Sequence, residues 1–184
     1  MKVTILLSTY NGEQFLAEQI ESIQAQTYRD WQLLIRDDGS SDGTRAIIED
    51  FCRQDSRICF INPEEAQNLG VIKSFHSLLK YQDSDFYFFS DQDDVWLPDK
   101  LAIQLAAAEN YDAFVPLLVY TDLKVVDQEL NVVHESMIRT QSDHANTELI
   151  QELTENTVTG GVSMINRALA DLWTGQEEHE LLMH

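Results

Sequence analysis

The stretch FYFFSDQDDVW, residues 86–96, drives four aromatic side chains straight into three carboxylates, Asp91, Asp93 and Asp94. An aromatic, β-favouring run of this length reads as a buried strand. Acids crowded at its end raise one another's pKa unless a cation joins them. The same texture recurs upstream. VTILLS (3–8) is a buried strand that stops at the turn pair Asn11-Gly12, and EQFLAEQIESIQAQ (13–26) carries Phe15, Leu16, Ile20 and Ile23 on one helical face. WQLLI (31–35), the polar turn RDDGSSDGT and a helix through Ala46, Ile47, Ile48 and Phe51 repeat the unit. RICFI (57–61) and VIKSFHSLLKY (71–81) add a third strand and helix before the aromatic run. Strands alternating with helices at this spacing predict an α/β fold built from right-handed βαβ units with a mostly parallel central sheet.

In such sheets ligands sit beyond the carboxyl ends of the strands. Three polar clusters are predicted there: STYNGE after the first strand, DDGSSDG after the second and SDQDD after the fourth. They are expected to meet in one crevice. Downstream, PDKLAIQLAAAE opens with Pro98 in a helical first turn, and AFVPLLVYTDLKVVDQELNVVHES reads as a strand plus a hairpin turning near Gln128 to Asn131. Residues 135–157 are weakly patterned and predict a mobile loop with a short helix. TGGVSMINRALADLW gives a Gly-Gly turn, a short strand and a helix.

Composition narrows the function. The 184 residues fit one domain, and 32 acidic against 12 basic residues give a formal charge of -20. That charge argues against nucleic acid, whose backbone is bound by clustered Lys and Arg. Cys52 and Cys59 form neither a disulfide framework nor a zinc set, which fits a reducing compartment. The apolar run at the start is shorter than a signal peptide's core of about 7–15 residues. AFVPLLVY falls far short of the roughly 20 residues a membrane helix needs, so no transmembrane segment is expected.

The carboxylates admit two roles. Hard cations such as Mg2+ or Mn2+ take carboxylate oxygens and leave sites open for water and phosphate. Alternatively an acid caps the helix near Pro98, a task needing only one carboxylate, for which Asp94 stands nearest. Asp37 and Asp38 point to opposite sides of the second strand's end, so one faces the crevice as an acceptor for a base N–H or ribose hydroxyl while the other fixes the turn. Asp42 to Thr44 makes a helix start. Neither a G-x-G-x-x-G fingerprint nor a P-loop is present, so phosphates need another holder. A metal on Asp91 and Asp93 supplies one.

The ordered set STYNGEQFLAEQIESIQAQTYRDWQLLIRDDGSSDGT, NLG and FFSDQDDVWLPDKL resembles the family 2 glycosyltransferases of the GT-A fold, a Rossmann-like α/β/α sandwich. SDQDDVW is closest to bacterial rhamnosyltransferase-type members that build surface polysaccharide. The resemblance implies one GT-A domain over 1–184, with a nucleotide-binding half about 1–97 and an incomplete acceptor-side half about 98–184. It implies that Ser8, Tyr10 and Glu13 line the donor pocket, that Asp38 hydrogen-bonds the base, and that Asp91 and Asp93 form a D-x-D site for Mn2+ or Mg2+. Thr159, Gly160 and Gly161 resemble the loop under the donor sugar. Lys73 is a candidate phosphate contact set against an ordinary solvated helix lysine.

The implied reaction is inverting transfer of a sugar from a nucleoside diphosphate donor, dTDP-rhamnose or a UDP-sugar, to a saccharide or lipid-linked acceptor. The implied location is cytoplasmic, peripheral at the inner face of the membrane. The general base of similar enzymes is an Asp or Glu in the later part of the domain, in rhamnosyltransferase-like members within a run resembling Met-His-Asp-Trp-Trp, and this chain ends Met183-His184. The base is therefore expected just after His184, and the chain reads as cut before it. Glu177, Glu178 and Glu180 are weaker substitutes, better explained as a solvated acidic end, and His76 and His179 read as surface or core residues. Two rival readings stand beside transfer: a non-catalytic nucleotide-sugar-binding fragment, and a phosphoryl-transfer α/β domain. The second rival usually needs a nucleophilic Asp directly after the first strand, where this chain has STYNG.

Overall fold

The computed structural model describes residues 1–65, 67–141, 146, 148 and 158–175. The order is β1 (Val3–Thr9), α1 (Leu16–Gln24), β2 (Trp31–Asp37), α2 (Thr44–Gln54), β3 (Ile58–Phe60), α3 (Val71–Tyr81), β4 (Phe86–Ser90) and α4 (Lys100–Ala108). It continues with β5 (Leu118–Tyr120), β6 (Val125–Val126), β7 (Val132–His134), α5 (Ile138–Gln141), a 3-10 turn (Gly160–Val162), β8 (Ser163–Asn166) and α6 (Arg167–Thr174). Among the described residues, six strands form one sheet in the order β3-β2-β1-β4-β8-β5, and β6 pairs with β7. β1 runs parallel to β2 and β4, and β2 parallel to β3, whereas β8 is antiparallel to both β4 and β5.

The alternation of β1 and β2 explains the layering. Val3, Ile5, Leu7, Leu33 and Ile35 bury against Leu16, Ile20, Ile23, Ile48, Leu101 and Leu105 on one face of the sheet. Leu6 and Leu34, offset by one position, bury with Phe75, Leu78, Leu79 and Ala170 on the other. Both faces are covered by helices, and for that reason the central strands read as nearly continuous apolar runs.

The antiparallel β8 brings its N-terminus to the edge of the sheet where β4 and β5 end. Asn166 anchors its far end. Its Oδ1 accepts from Leu169 N at the start of α6 (3.1 Å) and from Leu117 N (3.0 Å), and its Nδ2 donates to Val115 O (2.8 Å). Asn166→Ala removes a helix cap and two inter-strand links, so a loss of about 2 kcal/mol in urea unfolding is expected.

Element boundaries shift slightly from those read in the sequence: α1 begins at Leu16, because Gly12 to Phe15 form the preceding turn, and β3 shortens to Ile58–Phe60. The hairpin turn falls where expected, with Leu130 at φ 60° and Asp127 accepting from Glu129 N and Asn131 N. Of the expected loop over 135–157, the short helix α5 is present, and most of 142–157 lies outside the described residues. Among those residues no helix is long and apolar enough to cross a membrane.

Candidate active site

The loops after β1 and β2 are laced together. Asn11 N donates to Ser40 Oγ (2.8 Å), and Asn11 Oδ1 accepts from Ser41 N (2.9 Å). Gly12 N donates to Thr44 Oγ1 (2.8 Å). Asn11 holds a left-handed backbone (φ 49°), a conformation that asparagine tolerates better than most residues. The acidic turn after β4 joins them through Gln92. Its Oε1 accepts from Thr9 Oγ1 (2.6 Å) and Tyr10 N (2.8 Å). The intervening residue of the D-x-D is therefore the clasp that holds the first loop against the acids, a role its sequence position does not reveal.

Ser8 is half-buried beside this clasp, and the Tyr10 ring is exposed at the rim. Glu13 reaches across to the start of α2. Its Oε2 accepts from Gly43 N (2.8 Å) at the start of α2, where a carboxylate complements the helix dipole. Asp42 caps the same helix, accepting from Thr44 N and Thr44 Oγ1, as its spacing predicts.

Asp37 and Asp38 do point apart, but both are buried. Asp37 fixes the turn through Ser40 N (3.1 Å) and pairs with Arg45 Nη1 (3.0 Å). Asp38 accepts from Leu69 N (2.7 Å) and Gly70 N (2.9 Å), and ion-pairs with Arg36, itself 2% exposed. Arg36 continues to Ser74 Oγ (2.8 Å) and Gln67 O (3.1 Å). Burial pushes the Asp38 carboxyl up, but the Leu69 amide, Arg36 and the Gly70 amide together more than offset it and hold it below the ordinary carboxylate value. Ser74 hydrogen-bonds the carboxylate as well, so the roughly four acceptor positions it offers are occupied. The NLG segment is thus the partner of Asp38. A charged residue inside the strand LLIRDD was the signal for Arg36, whose buried partner only the fold supplies.

At the centre, Asp91 and Asp94 are half-buried and Asp93 is exposed. Burial, and then the Asp93 charge, raise the Asp91 carboxyl, while the Gly161 amide opposes the shift. Burial also raises Asp94, to about 6, with Asp91 and Asp93 adding to it and Lys100 opposing. Desolvation lowers Lys100 to about 8, and its Nζ sits 5.0 Å from the Trp96 ring centroid. Asp99, and not Asp94, stands at the N-cap position of α4, where its side chain makes no capping hydrogen bond and accepts instead from Thr27 Oγ1 (2.8 Å).

Gly160 and Gly161 close over this cluster. A Cβ on Gly161 would collide with Asp94 Oδ2 and lie 3.0 Å from Asp91 Oδ2. Thr159 Oγ1, at the same turn, is buried with no hydrogen-bond partner among the described residues. Gly161→Ala is expected to fold, because carboxylate ends can swing away, but to displace both acids. Thermal melts should move by a few degrees while cation affinity falls about 10-fold or more, in the range seen when a ligand's supports are disturbed.

Asp94 has a consequence for stability in the metal-free domain. The unfolded chain loses this proton near the ordinary value of 3.8 and the folded one near 6, so stability declines as pH rises between them. Asp94→Asn should therefore stabilise the metal-free protein by roughly 1–3 kcal/mol at pH 7.5 and leave it unchanged below about pH 4, measured by urea unfolding at both pH values.

Lys73 lies exposed on α3, and His76 is buried there, a core residue. Glu177, Glu178, His179, Glu180 and His184 fall outside the described residues, as does the position expected for the base.

A helix-covered, mostly parallel sheet whose strand ends gather two interlocked polar loops, an acidic turn and a diglycine turn defines a GT-A glycosyltransferase domain. The chain belongs to Glycosyl transferase family 2, whose sequence profile matches residues 4–173. It is 38% identical over 104 residues to the Escherichia coli UDP-Glc:alpha-D-GlcNAc-diphosphoundecaprenol beta-1,3-glucosyltransferase WfgD, covering 56% of this chain and 40% of that protein. It is 39% identical over 98 residues to the dTDP-rhamnosyl transferase RfbG of Shigella flexneri, covering 52% of this chain and 34% of the relative. The chain therefore spans well under half the length of these relatives. The mannosyltransferase PcManGT of Pyrobaculum calidifontis, solved in complex with GDP-Man and Mn2+, superposes with a TM-score of 0.58 at 22% identity, covering 67% of this chain and 35% of its own, a likeness of fold.

Proposed function

We propose that this domain binds a nucleoside diphosphate sugar through a divalent cation held by Asp91 and Asp93, and serves inverting sugar transfer to a saccharide or lipid-linked acceptor in surface polysaccharide synthesis. The observation that carries the reading is the acidic turn itself. Burial first, and then the neighbouring Asp charges, raise the half-buried Asp91 and Asp94 carboxyls, and Lys100 opposes the shift at Asp94. Among the described residues, no group of three or more His, Cys, Asp or Glu side chains is placed to hold a metal ion, so any ion here rests on fewer. One or two carboxylates with the remaining positions left to water and phosphate oxygens is the donor set that suits Mg2+ or Mn2+. Bound there, such an ion stabilises the charge of the departing diphosphate.

The remaining roles belong to the chain. Tyr10, exposed beside the Gln92 clasp, offers its ring to a base, and Ser8, two residues earlier near the end of β1, lines the same pocket. Asp38 holds the NLG segment in place and lies beside the base. The diglycine turn packs against Asp91 and Asp94 and lies under the donor sugar, with Thr159 Oγ1, without a hydrogen-bond partner among the described residues, in the same turn. RfbG and WfgD support dTDP-rhamnose and UDP-glucose equally as donor candidates. A thermal-shift panel of dTDP-rhamnose, UDP-glucose, UDP-GlcNAc and GDP-mannose, each with and without Mn2+, tests the reading. One donor at 100 times its Kd should stabilise the fold by about 2.7 kcal/mol, and only with the cation. Equal stabilisation in chelator would contradict it.

A further inference from the structure

The backbone of residues 91–98 is irregular, so its polar groups need partners outside a sheet or helix ladder. Helix α1 supplies them from an unexpected face. Gln19 and Ser22 lie among Leu16, Ile20 and Ile23 on its buried side, with Gln26 one turn further, just past the helix end; Gln19 and Gln26 are fully buried. With its amide nitrogen turned toward the acidic turn, Gln19 donates to Asp94 O (2.6 Å) and Ser22 Oγ (2.9 Å). Its oxygen accepts from Ser90 Oγ (2.6 Å) and Trp96 Nε1 (3.2 Å). All four hydrogen-bonding positions of the amide are then used. Ser22 Oγ accepts from Trp96 N (3.0 Å). Gln26 completes the set, donating to Leu97 O (2.9 Å) and accepting from Leu101 N (3.1 Å).

These partners span the acidic turn. Ser90 immediately precedes Asp91, Asp94 is the third acid itself, and Trp96 follows two residues later. We propose that Gln19, seconded by Ser22, is a positioning residue of the donor site. By holding Ser90, the Asp94 carbonyl and the Trp96 indole at once, it sets the spacing at which the Asp91 and Asp93 carboxylates meet the cation. A purely apolar α1 would bury the same area and leave the turn's polar groups without partners, and the turn would relax to satisfy them. Gln92 fixes the first loop to the acids from outside, and Gln19 fixes the acids to the core from beneath.

This inference rests on the cation reading above, and the experiment separates the two. Mn2+ alone is titrated into the full chain and into Gln19→Met, Ser22→Ala and Ile20→Val, followed by thermal shift and by the electron paramagnetic resonance signal of bound Mn2+. Ile20→Val is the control, a core change on the same helix that alters no hydrogen bond to the acidic turn. The parent and Ile20→Val should bind Mn2+ with the same affinity and spectrum. Gln19→Met should bind about 10- to 100-fold more weakly with an altered spectrum, and Ser22→Ala should lie between. Ser22→Ala keeps the inference testable if Gln19→Met does not fold. Mn2+ binding within twofold of the parent in both variants, with unchanged spectra, overturns the positioning role. Failure of the parent itself to bind Mn2+ overturns the cation reading and this inference with it.

Discussion

Replacing Asp38 by alanine is expected to destabilise the domain by about 3–5 kcal/mol, the cost typical of stripping a buried charge of its partner. Arg36 is fully inside the protein, and Asp38 is its carboxylate. Without it the guanidinium keeps only Ser74 Oγ and Gln67 O, and the amides of Leu69 and Gly70 lose their acceptor. For a domain of this size a loss of that order lowers the melting temperature by roughly 10 °C. Asp38→Asn should cost less, because it keeps the shape and one carbonyl, but it still leaves the charge unbalanced. A double replacement of Arg36 and Asp38 by apolar residues of similar volume should recover much of the loss.

The same pair predicts behaviour in acid. The folded-state pKa of Asp38 is depressed, so its contribution is complete above the ordinary value of 3.8 and is lost as pH falls below it. The alanine variant should therefore show a shallower acid limb. Urea unfolding at pH 7 that finds less than 1 kcal/mol between parent and variant would contradict the structural role. From the sequence alone Asp38 reads as a pocket acceptor whose removal only weakens nucleotide binding; the fold makes it the partner of Arg36 and of the Leu69 and Gly70 amides as well.

The second large effect is at the acidic turn. Asp91→Ala or Asp93→Ala should abolish cation-dependent donor binding, a loss of about 100-fold or more if the ion contributes several kcal/mol to holding the diphosphate. Neither change should harm the metal-free fold. Asp93 is exposed, and the Asp91 carboxyl is raised by burial and by its neighbour, so removing it relieves repulsion. Calorimetry in Mn2+ with each variant, beside melts in chelator, reads the two consequences apart. Donor affinity unchanged by Asp93→Ala would remove that residue from the site.

The parallel core was legible because strands buried on both faces carry long apolar runs, and because the helices between them keep one apolar stripe. VTILLS and WQLLI could hardly be anything else. The antiparallel entry of β8 between β4 and β5 was not legible: SMIN is a short apolar run that fits either direction, and what fixes it is Asn166 bonding to residues about fifty positions earlier.

At the site, the clustering of acids and turns after the strands was readable, since topology alone brings those ends together. The partners of each side chain were not. Glu13 caps a helix that begins thirty residues later, and Gln92 is an anonymous middle residue until Tyr10 is placed beside it. Gln19 and Gln26 did leave a trace, as polar residues on an otherwise apolar helical face. A buried amide there has to bond to something, and only the packed structure says that it is the acidic turn.

A doubly charged ion drawing together the crowded acids and a pyrophosphate is the proposed centre of the site. Crystals of the chain grown with Mn2+ and a nucleoside diphosphate, measured near the manganese absorption edge, test this most directly. An anomalous peak between the Asp91 and Asp93 carboxylates, touching the diphosphate, is the expected result. A bound nucleotide with no manganese beside those two acids would contradict it.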